Sequence, residues 1–281
     1  MNVLITGGAG FIGTNLIKEL LTRECTITSI DNYSSGFVSN HQDGVNYIDG
    51  DIREIKNYED FGNFNVVYHL ASIARIQPSF KQPVDYFETN VNGTLNIVDY
   101  CTRFNIPLIY SGSGSHHGGK FKNPYTFSKD IGEEIIKLYQ EHFNLKCSIA
   151  RFYNVYGPYH IKDGEYCTII GKWEKLYNEN KKLTIYGDGS KRRDFTHVND
   201  VVDGLIKIFT KSRFGFIFEL GRGKNHSILE IAKMFGGEFE FLEDKSGETL
   251  ETLCDNSFTK DMLGWEPKIN IEDYIKEQTN K

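Results

Sequence analysis

Residues 2–13 read NVLITGGAGFIG. Four of the first five are apolar or β-branched, as a short buried strand requires. Glycines follow at fixed spacing: Gly7, Gly10 and Gly13 fit G-x-x-G-x-x-G, and Gly8, Gly10 and Gly13 fit G-x-G-x-x-G. From Phe11 to Thr22 the apolar residues recur at helical spacing. With 27 glycines in the chain the pattern alone has little weight. Its position does: a glycine loop between strand and helix lets backbone N–H groups approach a pyrophosphate at the positive end of the helix. Phe11 and Ile12 would flank that loop. Asp31 ends the next apolar run, 18 positions beyond Gly13, where a carboxylate accepts hydrogen bonds from adenosine ribose hydroxyls. A 2′-phosphate would be repelled there, and Asn32 supplies no cation to offset the repulsion, so the expected cofactor is NAD rather than NADP.

Working outward, short β-branched runs lie at Asn2–Thr6, Cys25–Ile30, Val45–Asp49, Val66–Leu70, Pro107–Ser111 and Lys146–Phe152. Amphipathic stretches separate them, notably Pro83–Phe104 and Pro124–Phe143, the second with Asn123 as N-cap and Pro124 in its first turn. This alternation predicts an α/β fold with a doubly wound parallel sheet covered on both faces. After Gly157-Pro158 the pattern loosens. Helices are expected at Ile169–Asn178, Val198–Phe209, Ile228–Phe235, Phe258–Leu263 and Ile271–Gln278, with short strands at Leu183–Tyr186, Phe216–Leu220 and Phe239–Phe241. This second, smaller unit is expected to interleave with the first.

The chain has 281 residues, enough for a large core, and a net charge of −6, which argues against broad nucleic-acid or anionic-membrane binding. No apolar run approaches the ~18 residues of a membrane span. The five cysteines, Cys25, Cys101, Cys147, Cys167 and Cys254, are scattered and form no C-x-x-C pair, so reduced thiols in a cytoplasmic protein without a signal peptide are expected.

Tyr125 and Lys129 share a helix face, immediately after a strand that ends in Ser111-Gly112-Ser113. A second Y-x-x-x-K pair, Tyr177/Lys181, lies in a polar stretch and reads as surface. In order along the chain occur GGAGFIG, Asp31-Asn32, His69-Leu70-Ala71, Asn90-Val91-Asn92-Gly93-Thr94, Ser113, Tyr125/Lys129 and RFYNVYGP at 151–158, then RRDFTHVND at 192–200 and LGWEPKINIED at 263–273. Jointly these motifs resemble the extended short-chain dehydrogenase/reductases of the NAD-dependent epimerase/dehydratase group, and most closely the nucleotide-sugar 4-epimerases. The resemblance spans essentially the whole chain. It implies a Rossmann-type NAD domain at 1–154 and 193–214 and a nucleotide-sugar domain at 155–192 and 215–281. It places Asp51, Ile52, Leu70, Ala71 and Asn90 beside the cofactor, together with Tyr125 and Lys129.

The same resemblance makes Tyr125 the general base and Ser113 the hydroxyl that orients the sugar oxygen. A free phenol ionises near pH 10; lowering it about three units takes roughly 4 kcal/mol, expected from Lys129 and the nicotinamide charge. Asn154 and Arg193 match contacts to a substrate diphosphate, and Lys245 stands where a second arginine is usual. Thr252 falls at a position whose bulk gates C2 substituents, so an N-acetylated UDP-sugar is expected to be tolerated as well as UDP-glucose and UDP-galactose. After Ser113 come Gly114 and Ser115 where sugar dehydratases carry Asp-Glu, which favours epimerisation. The segment from Gly114 to Pro124 is shorter than in the family, and its His116 and His117 are expected to be a solvent-facing pair; no metal is expected. Arg75 and Gln77 follow the fourth strand and face either a ligand or a loop. A 4-keto-sugar reductase, a dehydratase-like enzyme and a non-catalytic dinucleotide-binding regulator are the alternatives. A homodimer through a four-helix bundle is implied by resemblance, using the stretches 83–104 and 124–143.

Overall fold

The computed structural model describes residues 1–55 and 62–280. The strands are β1 Asn2–Thr6, β2 Thr26–Asp31, β3 Val45–Asp49, β4 Val66–His69, β5 Leu108–Ser113, β6 Cys147–Phe152, β7 Leu183–Tyr186, β8 Arg192–Asp194, β9 Ile217–Leu220, β10 Asn225–Ser227 and β11 Phe239–Leu242. The helices are α1 Phe11–Leu21, α2 Ile76–Lys81, α3 Pro83–Phe87, α4 Thr94–Arg103, α5 Pro124–Phe143, α6 Ile169–Asn178, α7 Val198–Thr210, α8 Ile228–Phe235, α9 Ser257–Leu263 and α10 Ile271–Thr279. Seven parallel strands make one sheet in the order β3-β2-β1-β4-β5-β6-β9. Its order reverses between β1 and β4, which opens a crevice at their carboxyl ends.

Side chains of β1 show why its sequence is apolar throughout. Val3 and Ile5 enter the core on one face with Leu16, Val201, Phe218 and Trp265. Leu4 enters the other with Val67, Ile97, Tyr110 and Ile136. Successive strand residues point to opposite faces, so a strand covered on both sides needs both sets apolar. A third core, around Trp173, Phe195, Ile231 and Tyr274, lies in the smaller unit. That unit carries the antiparallel pair β8–β10 and the parallel pair β7–β11.

Helix α5 begins where its sequence signals place it: Asn123 accepts a hydrogen bond from the Thr126 N–H at 2.8 Å, and Pro124 occupies the first turn. The stretch 83–104 is not one regular helix. It is α3, a π-helical turn at Glu88–Gly93, and α4. A Cβ on Gly93 would come within 2.6 Å of Ile52, so the glycine lets this turn approach the loop after β3. The expected domain boundary at 214/215 also shifts. β9 is the seventh strand of the main sheet, and Leu263 and Trp265 pack in that sheet's core, so parts of 215–281 belong with the dinucleotide layer. Tyr177 is half-buried against Phe235 rather than on the surface.

Candidate active site

One cleft of about 840 Å³ runs from the glycine loop, past the end of β5, to the loop at 245–252. At its first end Gly7 has φ 75° and lies so close to Ala71 that a Cβ would meet the Ala71 N–H nitrogen at 2.8 Å. A Cβ on Gly13 would lie 2.2 Å from the Gly7 carbonyl oxygen. Gly10 is the N-cap of α1 and provides no side chain to occupy the helix's free N–H groups. Asp31 ends β2, accepting the Ala9 N–H through Oδ2 and the Tyr33 N–H through Oδ1, both at 2.9 Å. Burial pushes its carboxyl up, and the two N–H groups pull it back toward the ionised form. Glycine space, uncapped amides and a terminal carboxylate are the set a dinucleotide requires. Phe11, Ile12, Asn32, Ile52, Leu70 and Ala71 line the same wall.

Two further expected cofactor contacts, Asn90 and Asp51, are held by protein groups. Asn90 is fully buried and binds the backbone of Ile73 through both ends of its amide, at 2.8 and 3.0 Å, which fixes the loop after β4. The Asp51 carboxylate is engaged by Arg53 at 2.7 Å and Asn32 at 2.8 Å, and the Arg53 guanidinium holds it down at about 2.

At the far end of β5, the Tyr125 hydroxyl donates to Ser113 Oγ at 3.2 Å, and Ser115 Oγ lies 2.9 Å from the same oxygen. Burial raises the Tyr125 phenol; the Ser113 hydroxyl and the Arg75 cation pull it down. Lys129 is buried, with its ammonium 4.3 Å from the Tyr110 ring centroid. Burial lowers it to about 7, while Glu133 one turn on pulls upward.

Arg75 stands on a strained backbone, φ 91° and ψ 138°, which costs on the order of 1–3 kcal/mol for a side-chain-bearing residue. Tyr86 fixes it, its hydroxyl directed at the carbonyls of Ala74 and Arg75, each at 2.8 Å.

The third part of the cleft gathers Asn154, Arg193, Lys245 and Thr252. Asn154 Nδ2 donates to the Asp194 carbonyl at 3.0 Å and to Thr252 Oγ1 at 3.2 Å. Lys245 Nζ sits 3.5 Å from the Tyr186 ring centroid. Arg193 is paired with Glu248 at 3.1 Å, and Gln77 donates to Glu248 at 3.2 Å and to the Ser246 carbonyl at 2.9 Å. Neither Glu248 nor Tyr166, whose carbonyl accepts from Arg75 Nε at 3.1 Å, was identified from sequence. Glu248 was visible in Lys245-Ser246-Gly247-Glu248, but nothing local marks it as the partner of a residue 55 positions away.

His117 is exposed to solvent and His116 half-buried, as a solvent-facing pair requires, and each also meets a carboxylate. The Gly114–Gly118 turn is a 3₁₀ helix that places His116 Nδ1 2.8 Å from Asp130 and His117 Nε2 2.9 Å from Glu219. Ligand atoms of His116, Asp130 and Glu133 lie within 4.8 Å of one another. Both Glu133 oxygens are taken by Arg151, at 3.0 and 2.5 Å, and Arg151 also reaches Glu219 at 3.1 Å, so this cluster is a buried ion-pair network.

The NAD-dependent epimerase/dehydratase family model matches residues 3–221. The chain belongs to that family. A putative UDP-glucose 4-epimerase of Methanocaldococcus jannaschii is 30% identical, over 99% of this chain and 97% of the relative. Among solved structures, UDP-glucose 4-epimerase from Thermotoga maritima with UDP-glucose superimposes at TM-score 0.94, with 26% identity over 100% of this chain and 98% of that one. UDP-glucuronic acid 4-epimerase from Bacillus cereus, in complex with UDP-glucuronic acid and NAD, gives 0.91 and 27% identity over the same shares. The protein is thus an NAD-dependent enzyme of the epimerase/dehydratase family. Among the described residues no helix is long and apolar enough to cross a membrane.

Proposed function

We propose that this enzyme inverts C4 of a UDP-hexose through a transient 4-keto sugar. The observation that carries the reading is the Tyr125–Ser113 hydrogen bond at 3.2 Å, in a cleft continuous with the glycine loop. Ser113 holds the 4-oxygen, and Tyr125 takes its proton and later returns it. NAD, when bound, supplies the acceptor and then the donor of hydride at C4. Beside Ser113 stand Gly114 and Ser115, so no carboxylate there is placed to strip C5 or protonate a leaving 6-hydroxyl, as dehydration would require.

Arg193 and Lys245 offer charge to the diphosphate, with Asn154 beside them. Glu248 must yield Arg193 for that contact to form. Thr252 is small and leaves room at C2. Exposed Val84, Leu95 and Leu138 on α3, α4 and α5 support a homodimer through those helices. The test is interconversion of UDP-hexose C4 epimers without added NAD, in wild type and Tyr125→Phe. Turnover lost about 100-fold or more in the variant is expected; equal activity would remove Tyr125 from the role of base.

A further inference from the structure

Arg75 is a cation of the cleft with no carboxylate at ion-pair distance among the described residues; Glu248 acts on it from farther away. Lys81 is paired with Glu165 at 2.6 Å, Arg193 with Glu248 at 3.1 Å, and Lys191 with Asp244. Among the described residues the hydrogen bond of the Arg75 guanidinium is the one from Nε to the Tyr166 carbonyl, and no acid lies within ion-pair distance. Its position is nonetheless tightly determined. Tyr86, fully buried, holds the carbonyls of residues 74 and 75, and Asn90 holds both backbone groups of Ile73. The Tyr86 ring meets the Tyr125 ring edge-on at 6.3 Å between centroids, which sets the Arg75 segment beside the phenol. Burial lowers the affinity of the guanidinium for its proton, and the nearby phenol acts in the opposite sense. A desolvated guanidinium with its planar fork open to a cleft is built to receive a bidentate anion.

The diphosphate has Arg193 and Lys245 at the other end of the cleft. At the Tyr125 end the reacting atom is O4, and the substituent of a hexose that can be ionised within reach of O4 is the one at C6. We propose that Arg75 binds a carboxylate at C6, and that the substrate pair is a nucleoside-diphosphate hexuronic acid and its C4 epimer. This rests on the 4-epimerase reading and narrows it. The lack of an acidic side chain at Gly114 and Ser115 spares such a carboxylate from repulsion beside Ser113. A 4-keto hexuronate is a β-keto acid; carbon dioxide leaves only as the carboxylate surrenders its charge, and pairing with Arg75 opposes that loss.

Calorimetric binding of UDP, UDP-glucose and UDP-glucuronate to the NAD-loaded protein tests the proposal, with Arg75→Met and Arg75→Gly as variants. Glycine suits a φ of 91° and separates loss of the guanidinium from backbone strain. The expected result is an affinity for UDP-glucuronate about 50-fold lower in both variants, with UDP and UDP-glucose changed less than about threefold, and wild-type turnover of UDP-glucuronate to UDP-galacturonate. Equal losses for all three ligands would assign Arg75 to the diphosphate and overturn the proposal. Unchanged UDP-glucuronate binding, with kcat falling alike on neutral and acidic hexoses, would make Arg75 a modulator of Tyr125 and overturn it too. Selective binding accompanied by a UDP-pentose product, or by no turnover of any UDP-sugar, would leave the carboxylate contact standing and overturn the epimerase reading instead.

Discussion

Replacing Lys129 with methionine should stabilise the protein while removing its activity. Lys129 is 3% exposed, and among the described residues no carboxylate lies within ion-pair distance of its ammonium. Its ionisation falls from 10.5 to about 7 on folding. The folded value lies below the unfolded one, so between about pH 7 and 10.5 the unfolded chain binds more protons, and stability rises with pH. Below that window burial of the charge costs about 5 kcal/mol, and at pH 7 about 4 kcal/mol. Methionine of similar length carries no such cost but forfeits the ammonium's contact with Tyr110. A net gain of about 2–4 kcal/mol at pH 7 is expected, raising Tm by roughly 4–8 °C in a chain of this size. By pH 10 the gain should shrink below about 1 kcal/mol. Urea denaturation of nucleotide-free protein at both pH values measures it, alongside turnover, which should drop about 100-fold or more. A variant no more stable than wild type at pH 7, or a gain that does not vary with pH, would refute the argument.

Two further substitutions probe the frame around the site. Gly13→Ala would place a Cβ 2.2 Å from the Gly7 carbonyl oxygen and 2.7 Å from Gly8 Cα, both backbone atoms; NAD released on denaturation and quantified by chromatography should fall about tenfold or more. Arg151→Met would strand Glu133 and Glu219 without their shared cation; a loss of about 3–5 kcal/mol in denaturant unfolding is expected, because a broken buried pair leaves charge uncompensated.

Much of the architecture was legible because it rests on local chemistry. The apolar runs of β1 and β4, the glycines at 7–13 and the Asn123-Pro124 cap each act within a few residues. The dinucleotide cradle and the Ser113/Tyr125 meeting could therefore be anticipated. What the sequence does not carry is tertiary. Asn90 sits in a recognisable motif, yet its amide turns to Ile73, and Arg53 claims Asp51; neither partner is implied by spacing. The three-residue strands β8 and β10 are polar and too short to show alternation. Lys129 shares a helix face with Tyr125 as periodicity required, but where its ammonium points was settled by the Tyr110 ring on β5. Arg75 gave no sign of its positive φ, since that conformation is imposed by Tyr86 from eleven residues away.

Four of the five thiols are sealed in the interior, and Cys167 alone is half-accessible, on the stretch that also carries the Tyr166 carbonyl holding Arg75. The unmodified protein consequently contains its own single-site reporter: a maleimide dye would label one position at the mouth, and the rate of that alkylation would serve as a clock for occupancy, slowing as nucleotide sugars fill the space behind it.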